Sequence, residues 1–382
     1  MFLFFTFFYE DVIIINRKEV SMTKVSIIVP VYNEEENLRE CLDSLINQTI
    51  DDMEIIVIDD NSTDNSLDII KEYAAKYPQI KAYHNSQNIG QGAARNLGLD
   101  VASGEYIGFL DSDDLVEPVM YEVMYNAASI HDFPGVITSS VRFVKAGEEF
   151  KVNPNFKSRD TKGRLVDVLK HPEAIYDQSP SCCNKLFKKD LIGDYRFLEN
   201  CLWEDIAFVY SLLMKTNTFL HIQEKFYLYN RDITSGVSAK GFKPDSPLND
   251  IFRVADEIEK QAKKNGRLGE HNLDTLNYLL QSNKLSEEQF NTYNSQKKFY
   301  EVVNLLQEGF CFRRLSEIDK WDLPLELKNK EMVEFYNRVN EKYGDYKELD
   351  DGLLSARADL ILIKKAEKMS DEYFDRQAER HL

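Results

Sequence analysis

The chain has 382 residues, of which 43% are hydrophobic, and it carries a formal net charge of −18 at pH 7. This length allows one large domain and a smaller one. A net charge this negative repels the phosphates of nucleic acids, so the composition argues against DNA or RNA binding.

The cysteines limit the class of protein further. They are Cys41, Cys182, Cys183, Cys201 and Cys311. Their number is odd, and none stands in a CxxC motif or at zinc-ligand spacing from a histidine, so neither a disulfide framework nor a zinc site is predicted. Free cysteines are typical of a reducing compartment, which favours a cytoplasmic protein.

Residues 1–15 read MFLFFTFFYEDVIII, an apolar stretch interrupted by Glu10 and Asp11. It is shorter than the roughly 20 residues that span a bilayer, and no basic region precedes it as in a signal peptide. Two interpretations stay open: a leader that touches the membrane, or translated sequence upstream of a natural start at Met22. The second is favoured because the regular pattern begins only at Lys24. We therefore expect residues 1–22 to be a leader that is not native or is disordered.

From Val25 onward, short apolar runs alternate with amphipathic stretches. The apolar runs predict two buried strands, at Val25–Val31 and Glu54–Asp59, and two further strands, at Ile80–His84 and Tyr106–Leu110. Helical spacing predicts three intervening helices, at Glu34–Asn47, Asp64–Tyr77 and Gly92–Ala102. Residues 62–64 have the capping types expected at the start of the second helix. This alternation predicts an α/β fold with right-handed βαβ units and a doubly wound, mostly parallel sheet.

The pattern changes twice further along the chain. Past about Ser140 it loosens into short strands, loops and single helices. Beyond about Ser238 the apolar positions, from Leu248 to Ala262, follow helical spacing. Further helical patterns cover Phe299–Leu306, Met332–Val339 and Leu353–Ala366. These patterns predict a mostly helical C-terminal region.

Ligands of doubly wound sheets bind beyond the carboxyl ends of the strands. Three polar segments follow strand ends here, at Pro30–Glu35, Asp59–Asp64 and Asp111–Asp114. An Asp-x-Asp after a buried strand can hold a hard divalent cation that bridges to nucleotide phosphates, although an acidic surface turn is the alternative for this pattern taken alone. The convergence of three such ends, with Arg95 ahead of the acidic strand, favours a site for a metal and a diphosphate.

Four segments carry a resemblance to a known family: VSIIVPVYNEEENLRECLDSLINQT from Val25, EIIVIDDNSTDNS from Glu54, NIGQGAARNLGL from Asn88 and GEYIGFLDSDD from Gly104. In this order and spacing they resemble the family 2 glycosyltransferases of the GT-A fold. A weaker resemblance continues through CNKLF, WED and LYNR. Taken together, the resemblance implies a GT-A catalytic domain over residues 23–238. It leaves residues 239–382 as a helical region for acceptor binding, oligomerisation or membrane docking.

The resemblance implies which residues bind the nucleotide sugar. Pro30, Tyr32 and Glu34 line the base and ribose. Asp60 accepts a hydrogen bond from N3 of uracil, and Arg95 lies near the nucleotide. For Tyr32, core packing is an alternative interpretation.

The acidic cluster supplies the rest of the implied donor site. Asp111, with Ser112, holds the ribose or the sugar, and Asp113 binds the metal. For Asp59, which has no implied ligand, the interpretation is a cap on the turn that follows it.

The pair Glu204-Asp205 stands where the family carries its ED motif. The second residue, Asp205, is predicted to take the proton of the acceptor hydroxyl, which is a poor nucleophile by itself. Glu204 is assigned to holding the acceptor or positioning a loop. Taken without the upstream motifs, an acidic pair at a helix N-terminus is explained equally well by the helix dipole.

Three further residues have weaker assignments. Trp203 is either a platform for an acceptor sugar or a core residue. Arg231 is a candidate partner for the diphosphate when a loop closes, and Lys185 is a weaker one.

Three other classes of protein share single features with this sequence. A nicotinamide-dependent dehydrogenase carries GxGxxG directly after its first strand, whereas GQG at 90–92 comes two units later and Arg95 occupies the place of the third glycine. A haloacid-dehalogenase-type phosphatase carries its DxD after the first strand rather than the fourth. A catalytically silent sugar-nucleotide-binding or scaffold protein remains the alternative, and Asp60, Asp113 and Asp205 argue against it.

The resemblance therefore implies an inverting hexosyl- or N-acetylhexosaminyl-transferase of bacterial surface-polysaccharide or cell-wall biosynthesis. Its expected donor is a UDP-sugar, and its expected cofactor is Mn²⁺ or Mg²⁺. The expected acceptor is a glycan or a lipid-linked glycan at the inner face of the cell membrane. Peripheral membrane contact and a homo-oligomer formed through the C-terminal region are further expectations.

Overall fold

Four parallel strands and the helices between them form the first part of the fold. The structure, a computed structural model, describes residues 23–144, 150–230, 247–281 and 285–315. Its first elements are β1 (Val25–Val31), α1 (Leu38–Ile46), β2 (Met53–Asp59), α2 (Ser66–Lys76), β3 (Ile80–His84), α3 (Gln91–Val101) and β4 (Tyr106–Phe109). The strands lie in the order β3-β2-β1-β4, and all their pairings are parallel. Every residue of β1 is buried, as a continuous apolar run predicts for a central parallel strand.

Beyond β4 the sheet continues with strands of mixed direction. The elements are β5 (Leu115–Val116), α4 (Met120–Ile130), β6 (Val136–Val144), β7 (Arg164–Asp167), a 3₁₀ helix (Pro172–Ile175), β8 (Lys185–Lys188), α5 (Lys189–Ile192), α6 (Glu204–Lys215) and β9 (Thr218–Asn230). β8 is antiparallel to both β4 and β6, and β9 is parallel to β6. The short strands β5 and β7 are antiparallel to β9. The predicted fold class is confirmed. The antiparallel strands β7 and β8 lie past Ser140, where the sequence pattern loosens, whereas β5 comes earlier in the chain.

Two helices begin later than their sequence patterns predict. α1 begins at Leu38 rather than Glu34, and α2 begins at Ser66 rather than Asp64. The backbone amide of Glu34 donates to Ser66 Oγ (2.8 Å), and that of Glu35 donates to Asp64 Oδ2 (3.0 Å). These bonds hold the two glutamates as a loop against the next strand end. Asp64 Oδ1 also accepts from the Ser66 amide (2.9 Å), which satisfies one open amide at the start of α2.

Pro30 lies in the central strand, where a proline is unusual because it has no N–H to donate. The carbonyl of Ile28 accepts from the amide of Leu110 (3.1 Å) at the end of β4. Pro30 is two residues further along the same edge of β1, so it cannot continue this ladder. The chain therefore parts from β4 here and leaves the strand ends open to a ligand.

The helices described after β9 are α7 (Pro247–Lys264), α8 (Leu273–Gln281) and α9 (Glu287–Leu315). Two of them, α7 and α9, pack on the same core as the sheet. α7 packs against α6, and α9 packs against both α7 and α8. The apolar face predicted for α7 is confirmed by the burial of Ile251, Phe252, Ala255, Ile258 and Ala262. These side chains belong to one apolar cluster that begins at Val25.

Several predictions concern residues outside the described ranges. They are the leader over 1–22, the boundary between 238 and 239, and the helices at Met332–Val339 and Leu353–Ala366. The division into a catalytic domain and a helical region stays a prediction, although α7 and α9 share their core with the sheet. Within the described ranges, none of the helices has the length and apolarity needed to cross a membrane.

Candidate active site

A cleft lies where the N-termini of α3 and α6 meet the end of β4. Its lining residues are Gly90, Gln91, Gly92, Arg95, Asp111, Asn200, Cys201, Leu202, Trp203, Glu204 and Asp205. Its volume is about 190 Å³, below the roughly 300–1,000 Å³ of typical small-molecule pockets. The cleft thus has room for a sugar- or phosphate-sized group rather than a whole nucleotide.

Arg95 joins two of the predicted site carboxylates across this cleft. Its side chain is only 2% exposed. Nη2 contacts Asp111 Oδ1 at 2.8 Å, and Nη1 donates to Glu204 Oε1. Gln91 Nε2 also donates to Asp111 Oδ1, at 3.1 Å. A buried guanidinium between two carboxylates fixes the end of β4 relative to the start of α6.

The GQGAARN segment places three functional residues on one face of α3. Gly92 allows close approach, because a Cβ there would lie 2.5 Å from the carbonyl oxygen of Leu198. Asn96 Nδ2 donates to the carbonyl of Phe197 (3.1 Å), and the Phe197 amide donates back to Asn96 Oδ1 (2.8 Å). Since residues three and four apart share a helix face, Gly92, Arg95 and Asn96 together hold the chain that leads into α6. Of these three residues, only Arg95 has a role predicted from the sequence.

The four residues of the acidic cluster have different surroundings. Asp111 lines the cleft, Asp113 is half-exposed, and Ser112 is buried. Asp114 is buried, and it accepts hydrogen bonds from the Tyr227 hydroxyl and from the amide of Asn230 (2.6 Å). Burial, with the charges of Asp113 and Asp111, raises the pKa of Asp114 well above its usual range. Asp114 therefore ties the end of β4 to β9, a role that the sequence analysis missed.

The start of α6 brings the ED motif to the cleft. Trp203, directly before the helix, is half-buried with a left-handed φ of 59°. It lines the cleft and packs against the core, so both interpretations of this residue have a structural basis. Burial raises the pKa of Glu204 to about 7; the charge of Arg95 opposes this rise and that of Asp205 adds to it. Asp205 is half-buried, and both carboxylates lie in the first turn, where the helix dipole stabilises negative charge.

The residues predicted to bind the base and ribose lie outside the cleft, at the ends of β1 and β2. Pro30 and Glu34 are buried, and Tyr32 is half-buried. Asp60 is buried, and its carboxylate accepts hydrogen bonds from Asn85 Nδ2 (2.8 Å) and from the amides of Ile89 (2.9 Å) and Gly90 (2.8 Å). Asp60 thus shapes the loop that leads into α3, and its predicted contact with uracil stays a prediction.

Three weaker predictions have separate outcomes. Asp59 accepts from the amide of Ser62 at 3.4 Å, which confirms its turn-capping interpretation. Arg231 lies outside the described residues. Lys185 is fully buried, and its Nζ donates to the carbonyls of Ser179 and Ser181 at 2.7 Å each. The Lys185 ammonium group is thus held by loop carbonyls and does not line the cleft, and its contact with the diphosphate stays a prediction.

The acidic strand end after β4 offers two carboxylates to a cation. Among the described residues, no group of three or more His, Cys, Asp and Glu side chains is arranged to hold a metal ion. Mg²⁺ and similar cations are often held by only one or two carboxylates, with phosphate oxygens and water completing the shell. Asp111 and Asp113 supply two carboxylates, and both described bonds to Asp111 fall on Oδ1. These residues fit a cation whose shell a bound diphosphate completes.

Comparison with known proteins identifies the family. Residues 26–195 match the sequence model described as "Glycosyl transferase family 2". This region belongs to glycosyltransferase family 2. The match confirms the predicted family for this region.

Two curated relatives come from the genus Bacillus. The minor teichoic acid biosynthesis protein GgaB of Bacillus subtilis is 38% identical over 207 residues, which are 53% of this chain and 22% of that protein. The poly(ribitol-phosphate) beta-glucosyltransferase of Bacillus spizizenii is 51% identical over 96 residues, which are 24% of this chain and 15% of that protein. The chain thus spans less than a quarter of the length of either relative.

A solved structure supports the fold. The crystal structure of S. aureus TarS in complex with UDP-GlcNAc superposes with a TM-score of 0.53 at 22% identity, over 86% of this chain and 94% of that chain. At this level of identity the likeness shows the fold, and it confirms the predicted GT-A architecture.

Proposed function

We propose that this chain is an inverting glycosyltransferase that moves a sugar from a UDP-sugar to a hydroxyl group of a cell-surface glycan or a lipid-linked glycan. The arrangement around Arg95 carries the proposal. It brings the Asp-x-Asp strand end and the Glu204-Asp205 pair to one cleft, as a reaction with a leaving diphosphate and an attacking hydroxyl requires. We call the ends of β1, β2 and β4, together with α3, the donor side, and residues 199–205 the acceptor side.

The donor side suits a diphosphate. The N-terminus of α3, at residues 90–92, lines the cleft, and open amides at a helix N-terminus favour anions. Arg95 adds a fixed positive charge. Asp113, with Asp111, would hold Mn²⁺ or Mg²⁺, which when bound stabilises the negative charge of the leaving diphosphate.

The acceptor side supplies the proton acceptor. A hydroxyl oxygen of the acceptor forms the new bond to the anomeric carbon as the bond from that carbon to the diphosphate oxygen breaks. The hydroxyl proton passes to Asp205. Glu204, held by Arg95, positions the first turn of α6, and Trp203 offers an aromatic surface to the apolar face of an acceptor sugar.

The identity of the donor and the acceptor is proposed on separate grounds. UDP is proposed because Asp60 occupies the family position that reads uracil. A surface-glycan acceptor is proposed because the relatives are named for teichoic acid and poly(ribitol-phosphate). We further propose that the reaction takes place in the cytoplasm at the inner membrane face, with peripheral membrane contact and self-association through the helices after β9. Sedimentation with and without vesicles of anionic lipid tests these last two points.

Thermal unfolding in the presence of UDP-, GDP-, CMP- and dTDP-sugars, each with and without Mn²⁺, tests the donor assignment. A ligand that binds only the folded state raises the melting temperature by mass action. We expect a Mn²⁺-dependent rise with UDP-sugars. A rise with another nucleotide alone would overturn the UDP assignment, and no rise with any of them would favour a scaffold protein whose nucleotide site is degenerate.

A further inference from the structure

Helix α7 contacts the acceptor side, and both lie outside residues 26–195, which match the family. The segment 199–203 leads directly into the ED motif. Two of its residues have left-handed backbones, Asn200 with a φ of 45° and Trp203 with a φ of 59°. Left-handed residues other than glycine are uncommon, and they persist where surrounding contacts hold them. The contacts that hold this segment therefore bear on the geometry of the cleft.

One ion pair on α7 supplies several of these contacts. Arg253 Nη1 donates to the carbonyl of Asn200 (2.6 Å), and Nη2 donates to the carbonyl of Glu199 (2.8 Å). Asp250, one turn earlier, binds Arg253 Nη1 through Oδ1 (2.8 Å) and accepts from the Leu202 amide through Oδ2 (3.0 Å). The pair thus binds three backbone groups of the segment.

The environment of Asp250 makes these bonds hard to replace. Its side chain is buried, and the Leu202 amide and the Arg253 guanidinium occupy different oxygens of its carboxylate. Asp250 also lies in the first turn of α7, where the helix dipole favours a negative charge. Removing Arg253 would leave the buried Asp250 carboxylate without its charged partner, whereas Arg253 itself is 42% exposed and can be solvated without Asp250.

The segment is held from the opposite side by α3. Asn96 makes the two hydrogen bonds to Phe197 described above, and its Nδ2 also lies 3.2 Å from Glu199 Oε1. Residues 197–202 therefore lie between a helix of the donor side and a helix that follows β9. Because residues 197–202 lead into Asp205, the contacts from α7 help to set the distance between Asp205 and a donor bound at α3.

We propose that Asp250 and Arg253 are positioning residues for the transfer reaction: they fix the backbone of residues 199–202 and thereby orient Trp203, Glu204 and Asp205 toward the donor. The inference rests on the function proposed above. Neither residue lines the cleft, so both act through the segment. A misplacement of about 1 Å can cost about 100-fold in rate, which sets the scale of the expected effect.

The test compares Arg253→Met, Arg253→Lys and Asp250→Asn with a control on the same helix. Lys260 and Glu257 form an ion pair with the same spacing (2.8 Å), and Lys260 is exposed, as Arg253 is. Lys260→Met therefore removes a comparable pair that does not contact the acceptor side within the described residues. Each protein is titrated with UDP to count folded sites, and kcat and KM are expressed per folded site.

We expect Arg253→Met and Asp250→Asn to lower kcat by about 10- to 100-fold and to change UDP affinity less than threefold, because the donor side is held by other contacts. Arg253→Lys should recover part of kcat, since a lysine keeps the charge but not the two-pronged geometry. Lys260→Met should leave kcat unchanged. Equal kcat per folded site in all four variants would overturn the proposal, because it would reduce the pair to a stabilising contact.

A second measurement does not depend on turnover. The chain has two tryptophans, Trp203 and Trp321, so Trp321→Phe leaves Trp203 as the single tryptophan, whose emission can be excited selectively over that of the tyrosines. In this background, Arg253→Met should increase acrylamide quenching of Trp203 at least twofold, and Lys260→Met should not. Unchanged quenching in both would contradict the anchoring of the segment. If the parent chain turns over no sugar nucleotide, the proposed function fails, and the quenching still decides whether the pair holds the segment.

Discussion

The donor side and the acceptor side of the cleft are held by contacts of different range along the chain. On the donor side, Asp60 accepts its three hydrogen bonds from residues 25 to 30 positions away. On the acceptor side, Arg95 and Glu204 are 109 positions apart. Adjacent βα units thus build the donor side, whereas the acceptor side forms only when distant parts of the chain have packed. A variant whose acceptor side is disturbed can therefore keep nucleotide binding and lose sugar transfer.

The largest effect is expected at the proposed base. Asp205→Asn removes the proton acceptor, so turnover should fall at least about 100-fold, while the Kd for UDP should change less than threefold. Turnover is measured by release of UDP and binding by calorimetry. Asp190→Asn, an exposed acid in the first turn of α5, is the matched control. Wild-type turnover in Asp205→Asn would show that another group takes the proton.

The contact that joins the two sides should make a large contribution to stability. Arg95→Met leaves the buried Glu204 carboxylate without its partner, and breaking a buried pair in this way costs about 3–5 kcal/mol. Urea unfolding at pH 8 measures the free energy of unfolding. Arg39→Met is the control, because the Arg39–Glu72 pair is exposed and such pairs contribute at most about 1 kcal/mol.

The double variant sharpens this prediction. If Glu204 is the group left uncompensated, adding Glu204→Gln to Arg95→Met should recover part of the lost stability. Losses that simply add would mean that Arg95 stabilises the cleft mainly through Asp111.

A smaller effect is expected at the proposed cation ligand. Asp113→Asn should weaken Mn²⁺-dependent binding of UDP at least tenfold, because one of two carboxylates is lost. With EDTA present, the variant and the parent should bind UDP equally. The comparison is made by calorimetry at a fixed Mn²⁺ concentration. Equal UDP affinities of the variant and the parent with Mn²⁺ would mean that the cation binds elsewhere or takes no part in UDP binding.

The smallest effect is expected in the pH dependence of stability. The pKa of Glu204 is raised from 4.5 to about 7, so the folded state binds this proton more tightly than the unfolded state does. The contribution of Glu204 to the free energy of unfolding therefore falls as the pH rises from about 4.5 to about 7, and it is constant above that. The stability of Glu204→Gln should fall less between pH 5.5 and pH 8 than that of the parent. Parallel curves would contradict the raised pKa.

The difference in contact range also explains what could be predicted from sequence. The bounds of β1 are those expected, because a continuous apolar run buried in a parallel sheet has clear ends. The bounds of β3 are also those expected, although only the first residue of this strand is buried. The predicted starts of α1 and α2 are wrong because hydrogen bonds between the two loops hold the residues before each helix. Such bonds leave no periodic signal in the sequence. Motif order located Arg95 and the ED pair, and the structure brings them together.

Other features could not be predicted because they depend on distant partners. The spacing of the acidic cluster does not indicate that Asp114 turns inward, since its partner Tyr227 is 113 positions away. The amphipathic pattern of α7 identifies its buried face but not the bonds from Asp250 and Arg253 to the segment before α6.

The anomeric configuration of the released sugar tests the central claim most directly. In UDP-glucose the glucose is α-linked, and slow turnover with water as the acceptor can be followed by proton NMR before the free sugar mutarotates. The account predicts that β-glucose appears first, that it requires Mn²⁺ or Mg²⁺, and that Asp205→Asn does not release it. Initial release of α-glucose would contradict an inverting reaction with Asp205 as the base.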